Sequence, residues 1–100
     1  MTSLNELRED YKRLTNYILP DMAEAHTWPV RFNHCFQRIL LDHIFGGCWY
    51  HFLDKKNSLP AYKQLNEIQL RKILDTGQLI LSDPSLLVTL NKESLGYRKL

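Results

Sequence analysis

The sequence predicts an all-α protein, a compact bundle of about four helices in a single domain of 100 residues. Several segments carry apolar residues at every third or fourth position, the spacing that places side chains on one face of an α-helix. Capping patterns precede all four of the predicted helices. No segment shows the alternation of β-branched and polar residues that is typical of strands, so the pattern favours helices throughout.

The first helix is predicted from about Leu4 to Leu19. Ser3 followed by Glu6 has the spacing of a capping box, in which each residue satisfies a backbone donor of the first turn. The apolar residues that follow at helical spacing are Leu4, Leu7, Tyr11, Leu14 and Ile18. Pro20 is expected to end or kink this helix, because proline lacks a backbone donor and its ring clashes with the preceding turn.

The second helix is predicted to be long and central, over residues 34–53, with Asn33 as its cap. Apolar residues recur at every fourth position and the spacing passes through both glycines in phase: Phe36, Leu40, Ile44, Cys48 and Phe52. We expect Gly46 and Gly47 to lie inside the helix and to let another helix approach closely. The alternative is a break at the two glycines, which would give two shorter helices.

Two further helices follow a polar loop predicted for residues 54–60. Asn66 with Gln69 resembles a capping box before a helix over about residues 67–81. Its predicted inward positions are Ile68, Ile73, Leu74, Ile80 and Leu81, and Gly77 marks a helix contact. Asp83 followed by Pro84 is a helix-start pattern, and the last helix is expected over about residues 84–94, ended by Gly96.

Charge and cysteine content limit the classes of function. The net charge is only +2, and the 13 basic residues are scattered rather than gathered in a run, which disfavours nucleic acid as the partner. Cys35 and Cys48 lie on one predicted helix at a separation of roughly 20 Å, too far for an internal disulfide. No apolar leader and no apolar run of about 20 residues occurs, so we expect a cytoplasmic protein that does not enter membranes.

The most informative polar residues form a line on the predicted central helix. His34, Arg38 and Asp42 follow at spacings of four, so they share a face and Arg38 can pair directly with Asp42. As a binding site, Arg38 would bind an anion, Asp42 would orient the Arg38 guanidinium, and His34 would titrate near neutral pH. As structure alone, the line is a half-buried ion pair beside a satisfied histidine. The ligand-binding candidates are His34, Arg38, Asp42, Tyr50 and Tyr62.

No metal or cofactor is predicted. The histidines are His26, His34, His43 and His51, and their spacing lacks the two short ligand pairs of a structural zinc site. No phosphate-cradling glycine loop, nucleophile elbow or zinc-protease pattern occurs in the sequence.

Three segments carry a resemblance to a known group of proteins: PVRFNHCFQRILLDHIFGGCWY at 29–50, PAY at 60–62 and LNKESLGYR at 90–98. They resemble a family of small, functionally uncharacterised bacterial helical proteins, some members of which are described as acetyltransferases. The resemblance spans most of the chain and implies a bacterial source. Common acetyl-CoA-dependent transferases need a mixed sheet and a pyrophosphate-binding turn, and the sequence predicts neither, so the resemblance implies no chemistry here.

Helical bundles build sites between facing helices, which places the expected pocket at the polar line. The first hypothesis is a non-enzymatic binding or adaptor module that recognises a partner protein or a small anionic ligand. The alternative is a small enzyme or enzyme subunit in which His34 acts as acid or base while Arg38 holds an anionic substrate. A third hypothesis is a nucleic-acid-binding protein that uses the helix surfaces carrying Lys12, Arg13, Arg71 and Lys72.

Overall fold

The computed structural model describes residues 3–54 and 60–99, and all regular structure within these residues is helical. Five α-helices follow in order: α1 Leu4–Arg13, α2 Leu19–His26, α3 Asn33–Phe45, α4 Glu67–Ser82 and α5 Ser85–Tyr97. Short 3-10 turns lie at Trp49–His51 and Ala61–Gln64. The predicted all-α bundle is therefore confirmed.

A π-helical turn, Leu14–Ile18, joins α1 to α2 without a break. In this turn the Leu19 N–H donates to the Leu14 carbonyl, five residues back. Pro20 then lies in the first turn of α2, where its missing donor is not needed. The helical path therefore continues past the proline to His26 and ends at Thr27, whose backbone is left-handed with φ 57°.

Helix α3 ends at Phe45, so the predicted long helix over 34–53 is wrong in its second half. Gly46 adopts the left-handed conformation at φ 67°, which costs glycine little because it has no Cβ. Its N–H and that of Gly47 donate to the last carbonyls of α3, as in a helix C-cap. The structure matches the alternative, a break at the glycines, and the chain resumes as the 3-10 turn at Trp49–His51.

The two glycines do not contact another helix, contrary to expectation. A Cβ built at Gly46 would meet nothing within 4 Å, and one at Gly47 would meet only the Phe52 ring, at 3.2 Å. Gly77 does mark a helix contact, as predicted: a Cβ there would lie 3.0 Å from Leu14 Cδ1. The absence of a side chain at Gly77 thus allows α4 to pack against the π-helical turn.

Helix α3 packs against α4, α5 and the π-helical turn and forms the centre of the core. Its fully buried apolar side chains are Phe36, Ile39, Leu40 and Leu41. Facing them, α4 and α5 bury Leu70, Ile73, Ile80, Leu87 and Leu90. Ile68, which was predicted to point inward, is exposed, because the buried face of α4 follows Leu70, Ile73 and Ile80, and a residue two positions from Leu70 lies on the opposite face.

The starts of α4 and α5 are set by local side-chain hydrogen bonds. Asn66 and Gln69 form the predicted capping box, with bonds of 2.8 and 2.9 Å. At α5, Asp83 accepts the Ser85 N–H at 3.2 Å. Helix α5 runs through Gly96 to Tyr97, so the predicted end at Gly96 is wrong. The polar loop predicted for 54–60 lies, apart from its two end residues, outside the described residues.

Candidate functional site

The buried carboxylate of Asp42 is the centre of a polar network between α3 and α5. Its side chain is 0% exposed and accepts four hydrogen bonds from three residues. The Trp49 N–H donates at 3.0 Å and the Ser94 hydroxyl at 2.5 Å. Arg98 donates through Nε and Nη2, each at 3.1 Å. A carboxylate offers about four lone-pair sites, so these bonds saturate Asp42.

Arg98 is the ion-pair partner of Asp42, with Nη2 and Oδ2 3.0 Å apart. The guanidinium also lies over the Tyr50 ring, 4.8 Å from its centroid. Burial lowers the pKa of Arg98, but the hydrogen bond with Tyr50 and the charge of Asp42 outweigh it and raise the pKa above its usual value. Arg98 was not predicted from the sequence as a partner of Asp42, because a separation of 56 positions gives no spacing signal.

The predicted direct pair between Arg38 and Asp42 is wrong. Arg38 Nη1 donates to the Ser94 hydroxyl oxygen at 2.6 Å, and Nη2 donates to Asn91 Oδ1 at 2.9 Å. Both acceptors are uncharged, and no carboxylate in residues 3–54 and 60–99 forms an ion pair with Arg38. The lone pairs of Asp42 are already occupied, so the described part of the chain provides Arg38 with no carboxylate partner.

Arg38 lines an open groove of about 310 Å³ on the surface of the bundle. We call it the Arg38 groove, and the residues around it include His34, Gln37, Arg38, Trp49, Tyr50 and Ala61. Three of the five predicted site residues therefore meet at this groove, and Asp42 is linked to it through Ser94. Tyr62 is not among them: its ring stacks on Tyr11 at 5.7 Å.

Aromatic rings form much of the rim of the Arg38 groove. The exposed His34 ring stacks on the Phe32 ring, with centroids 5.7 Å apart and planes 7° from parallel. Trp49 and Tyr50 contact each other edge to face at 4.4 Å. The Phe32 side chain is 65% exposed. The groove therefore combines one guanidinium with the rings of His34, Trp49 and Tyr50.

A second groove of about 300 Å³ shares Tyr50 with the first. We call it the Cys48 groove, and it is lined by Cys48, Tyr50, His51, Tyr97 and Arg98. Neither groove has an Asp or Glu among the described residues of its lining. Cys35 and Cys48 are free thiols as predicted, although Cys48 lies beyond the end of α3 rather than on it.

The described residues contain no cluster of three or more histidine, cysteine or acidic side chains that could hold a metal ion. Among the same residues, none of the helices has both the length and the apolar character needed to span a bilayer. Comparison with protein-family models, curated proteins and solved structures finds no match to this chain.

Proposed function

We propose that this protein is a binding module that holds an anionic group in the Arg38 groove. One observation carries the proposal: within residues 3–54 and 60–99, the acceptors of the Arg38 guanidinium are both neutral, while Arg38 lines a groove open to solvent. A partly buried cation is costly without a counter-charge, and an anion from solution would supply one. Guanidinium is also the side chain best suited to bind a carboxylate or phosphate through two parallel hydrogen bonds.

The geometry of Arg38 supports a binding role. A guanidinium has five N–H donors, and the hydrogen bonds to Ser94 and Asn91 use one on each terminal nitrogen. Three donors are left for a ligand within the described part of the chain. The two acceptors on α5 hold the planar group in a fixed orientation, which lowers the entropy lost when an anion binds.

The surroundings of His34 favour binding over catalysis. A histidine that acts as a general base is usually oriented by a hydrogen bond from its second nitrogen to a carboxylate or carbonyl. The His34 ring is instead exposed and stacks on the Phe32 ring. This arrangement suits a flat surface for recognition, so the non-enzymatic hypothesis is preferred to the enzyme hypothesis.

Thermal shift with small anions tests the proposal. The probes are acetate, citrate, inorganic phosphate and AMP, each compared with chloride at equal ionic strength. A ligand at ten times its Kd adds about 1.4 kcal/mol to the stability of the folded state, which raises the Tm of a 100-residue domain by roughly 5–10 °C. We expect at least one carboxylate or phosphate to produce such a shift in the wild-type protein.

Arg38→Gln should abolish the shift in Tm, because glutamine carries no charge. Glutamine can still donate a hydrogen bond to Ser94 or Asn91, so the substitution removes the charge and keeps a local contact. Arg71→Gln is the matched control, since Arg71 pairs with Glu67 on the surface of α4 and lines neither groove. Circular dichroism establishes that both variants fold. The proposal is wrong if no probe shifts the wild-type Tm, or if the shift persists unchanged in Arg38→Gln.

A further inference from the structure

We propose that the Arg38 groove receives an Asp or Glu side chain from an extended segment of a partner protein, and that a neighbouring apolar residue of the segment enters the Cys48 groove. The inference rests on the proposed function and adds the class of ligand. The two grooves lie on either side of Tyr50, which lines both. A ligand that fills both must carry an acidic group and an apolar group joined across one tyrosine ring.

The charge of the two grooves fits a single carboxylate. Arg38 and Arg98 are the only Arg or Lys side chains among the described lining residues. The charge of Arg98 is already neutralised by Asp42, 3.0 Å away. One uncompensated guanidinium matches one acidic side chain, whereas a nucleic-acid strand brings a phosphate with every nucleotide and needs a track of cations.

The shape of the grooves fits a peptide better than a small molecule. Pockets for small molecules usually enclose most of the surface of the ligand. Both grooves here are open to solvent and hold about 310 and 300 Å³, so a ligand in them keeps one side exposed, as a chain lying across a surface does. Aromatic side chains are enriched at protein interfaces, and Tyr50 and Tyr97 are 38% and 37% exposed in the lining.

The donors in the Arg38 groove indicate an acidic side chain rather than the end of a chain. Terminal carboxylates are typically captured by a series of backbone N–H groups. The Arg38 groove instead offers the side-chain donors of Arg38, and the imidazole of His34 is part of the same lining. Alternate side chains of an extended segment project on one side at about 7 Å intervals, so an apolar residue two or three positions from the acidic one is expected to reach past Tyr50.

Fluorescence anisotropy with synthetic peptides tests the inference. The probes are labelled seven-residue peptides in a Gly/Ser background, blocked at both ends, with Asp or Glu at position 3 and Leu, Phe or Trp at position 5 or 6. Matched peptides replace the acid by Asn or Gln, or the apolar residue by Gly. We expect the best acidic–apolar peptide to bind about ten-fold more tightly than either matched peptide.

Two substitutions assign the two halves of the peptide. Arg38→Gln should remove the preference for Asp over Asn, and Arg71→Gln should retain it. Tyr97→Ala should weaken the acidic–apolar peptide about ten-fold more than it weakens the peptide with Gly in place of the apolar residue. Because this readout is a ratio within one variant, a general loss of folded protein does not imitate it.

The outcomes separate the inference from the proposed function. If small carboxylates shift the Tm through Arg38 but the acidic–apolar peptides bind no better than their matched peptides, the inference is wrong and the proposed function stands. If neither small anions nor peptides depend on Arg38, the proposed function is wrong as well. A third outcome would overturn the inference. If a single strand of ten thymidines binds more tightly than any peptide, and this binding depends on Arg38, the partner is a nucleic acid.

Discussion

Replacing Arg98 by methionine tests how much the buried network stabilises the fold. Methionine keeps most of the length of the side chain but removes both hydrogen bonds to Asp42. The carboxylate is 0% exposed, whereas the Arg98 side chain is 22% exposed. The substitution therefore leaves a fully buried charge with donors from Trp49 and Ser94 but without its ion-pair partner.

The expected cost follows from the bonds that are lost. Hydrogen bonds to charged groups contribute about 1.5–3 kcal/mol each, so the two from Arg98 amount to about 3–6 kcal/mol. The partial exposure of Arg98 lets water approach the vacated position, which lowers the cost toward the bottom of this range. We expect a loss of about 3 kcal/mol, close to the lower limit measured when one partner of a buried ion pair is removed.

Urea unfolding followed by circular dichroism and tryptophan fluorescence measures the cost. With a slope of about 1–3 kcal/mol/M, a loss of 3 kcal/mol lowers the midpoint by roughly 1–3 M. The control is Arg71→Met, because the Arg71–Glu67 pair is exposed on both sides and such pairs contribute only about 0–1 kcal/mol. Asp42→Leu with Arg98→Met should cost less than the two single changes added together, since no charge is then stranded.

An Arg98→Met variant that is no less stable than Arg71→Met would refute the reasoning. Water would then solvate Asp42 as well as the guanidinium does, and the ion pair would not be what fixes the end of α5 against α3. Strictly additive costs in the double variant would lead to the same conclusion.

Two further predictions concern glycine and tyrosine. Gly46→Ala should destabilise the fold by about 1–2 kcal/mol, because a φ of 67° strains any residue with a Cβ. Gly96→Ala should stabilise the fold by up to about 1 kcal/mol, because Gly96 lies in α5 with open space around it. Urea midpoints that move in the same direction in the two variants would contradict the C-cap at Gly46. Burial, with a smaller contribution from Tyr62, raises the pKa of Tyr11 above its ordinary value of 10.0. The folded state then holds the phenolic proton more tightly, so stability is full below about pH 10 and falls by up to about 1.4 kcal/mol per pH unit above it. Urea midpoints between pH 9 and 11.5 should therefore decline less in Tyr11→Phe than in wild type, and equal slopes would exclude Tyr11 as the source.

Local signals in the sequence predicted the helices well where the structure is itself local. The capping box of Asn66 and Gln69 forms as expected, because both of its hydrogen bonds join residues three positions apart. Pro20 shows the limit of such rules. Its missing donor does not end the helix, since the π-helical turn before it shifts the hydrogen-bond register by one residue.

The end of α3 shows why apolar spacing alone does not locate a helix boundary. Cys48 is buried and Trp49 is half-buried although both lie beyond the helix, because the chain turns at Gly46 and returns to the same core. A chain that turns back onto a core needs apolar residues just as a continuing helix does, so both structures produce the same pattern. The backbone freedom of glycine decides between them, and a spacing argument does not include it.

The sequence predicted which residues of α3 share a face but not how they pair. Spacing along one helix correctly placed His34 and Arg38 on a common face, where they line one groove. It also suggested that Arg38 pairs with Asp42, since it considers only neighbours within two turns. The actual partner, Arg98, comes from α5 and is brought in by the tertiary fold, which the spacing of residues on α3 does not specify.

The same saturated carboxylate links the stability of the fold to the availability of the site. Asp42 accepts two bonds from Arg98, one from Ser94 and one from the Trp49 backbone, which leaves no acceptor for Arg38. Arg38 is therefore directed to the neutral oxygens on α5 and keeps its charge toward the groove. The distant arginine thus stabilises the buried carboxylate and occupies two of its acceptor sites, while Arg38 bonds to the uncharged oxygens of Asn91 and Ser94.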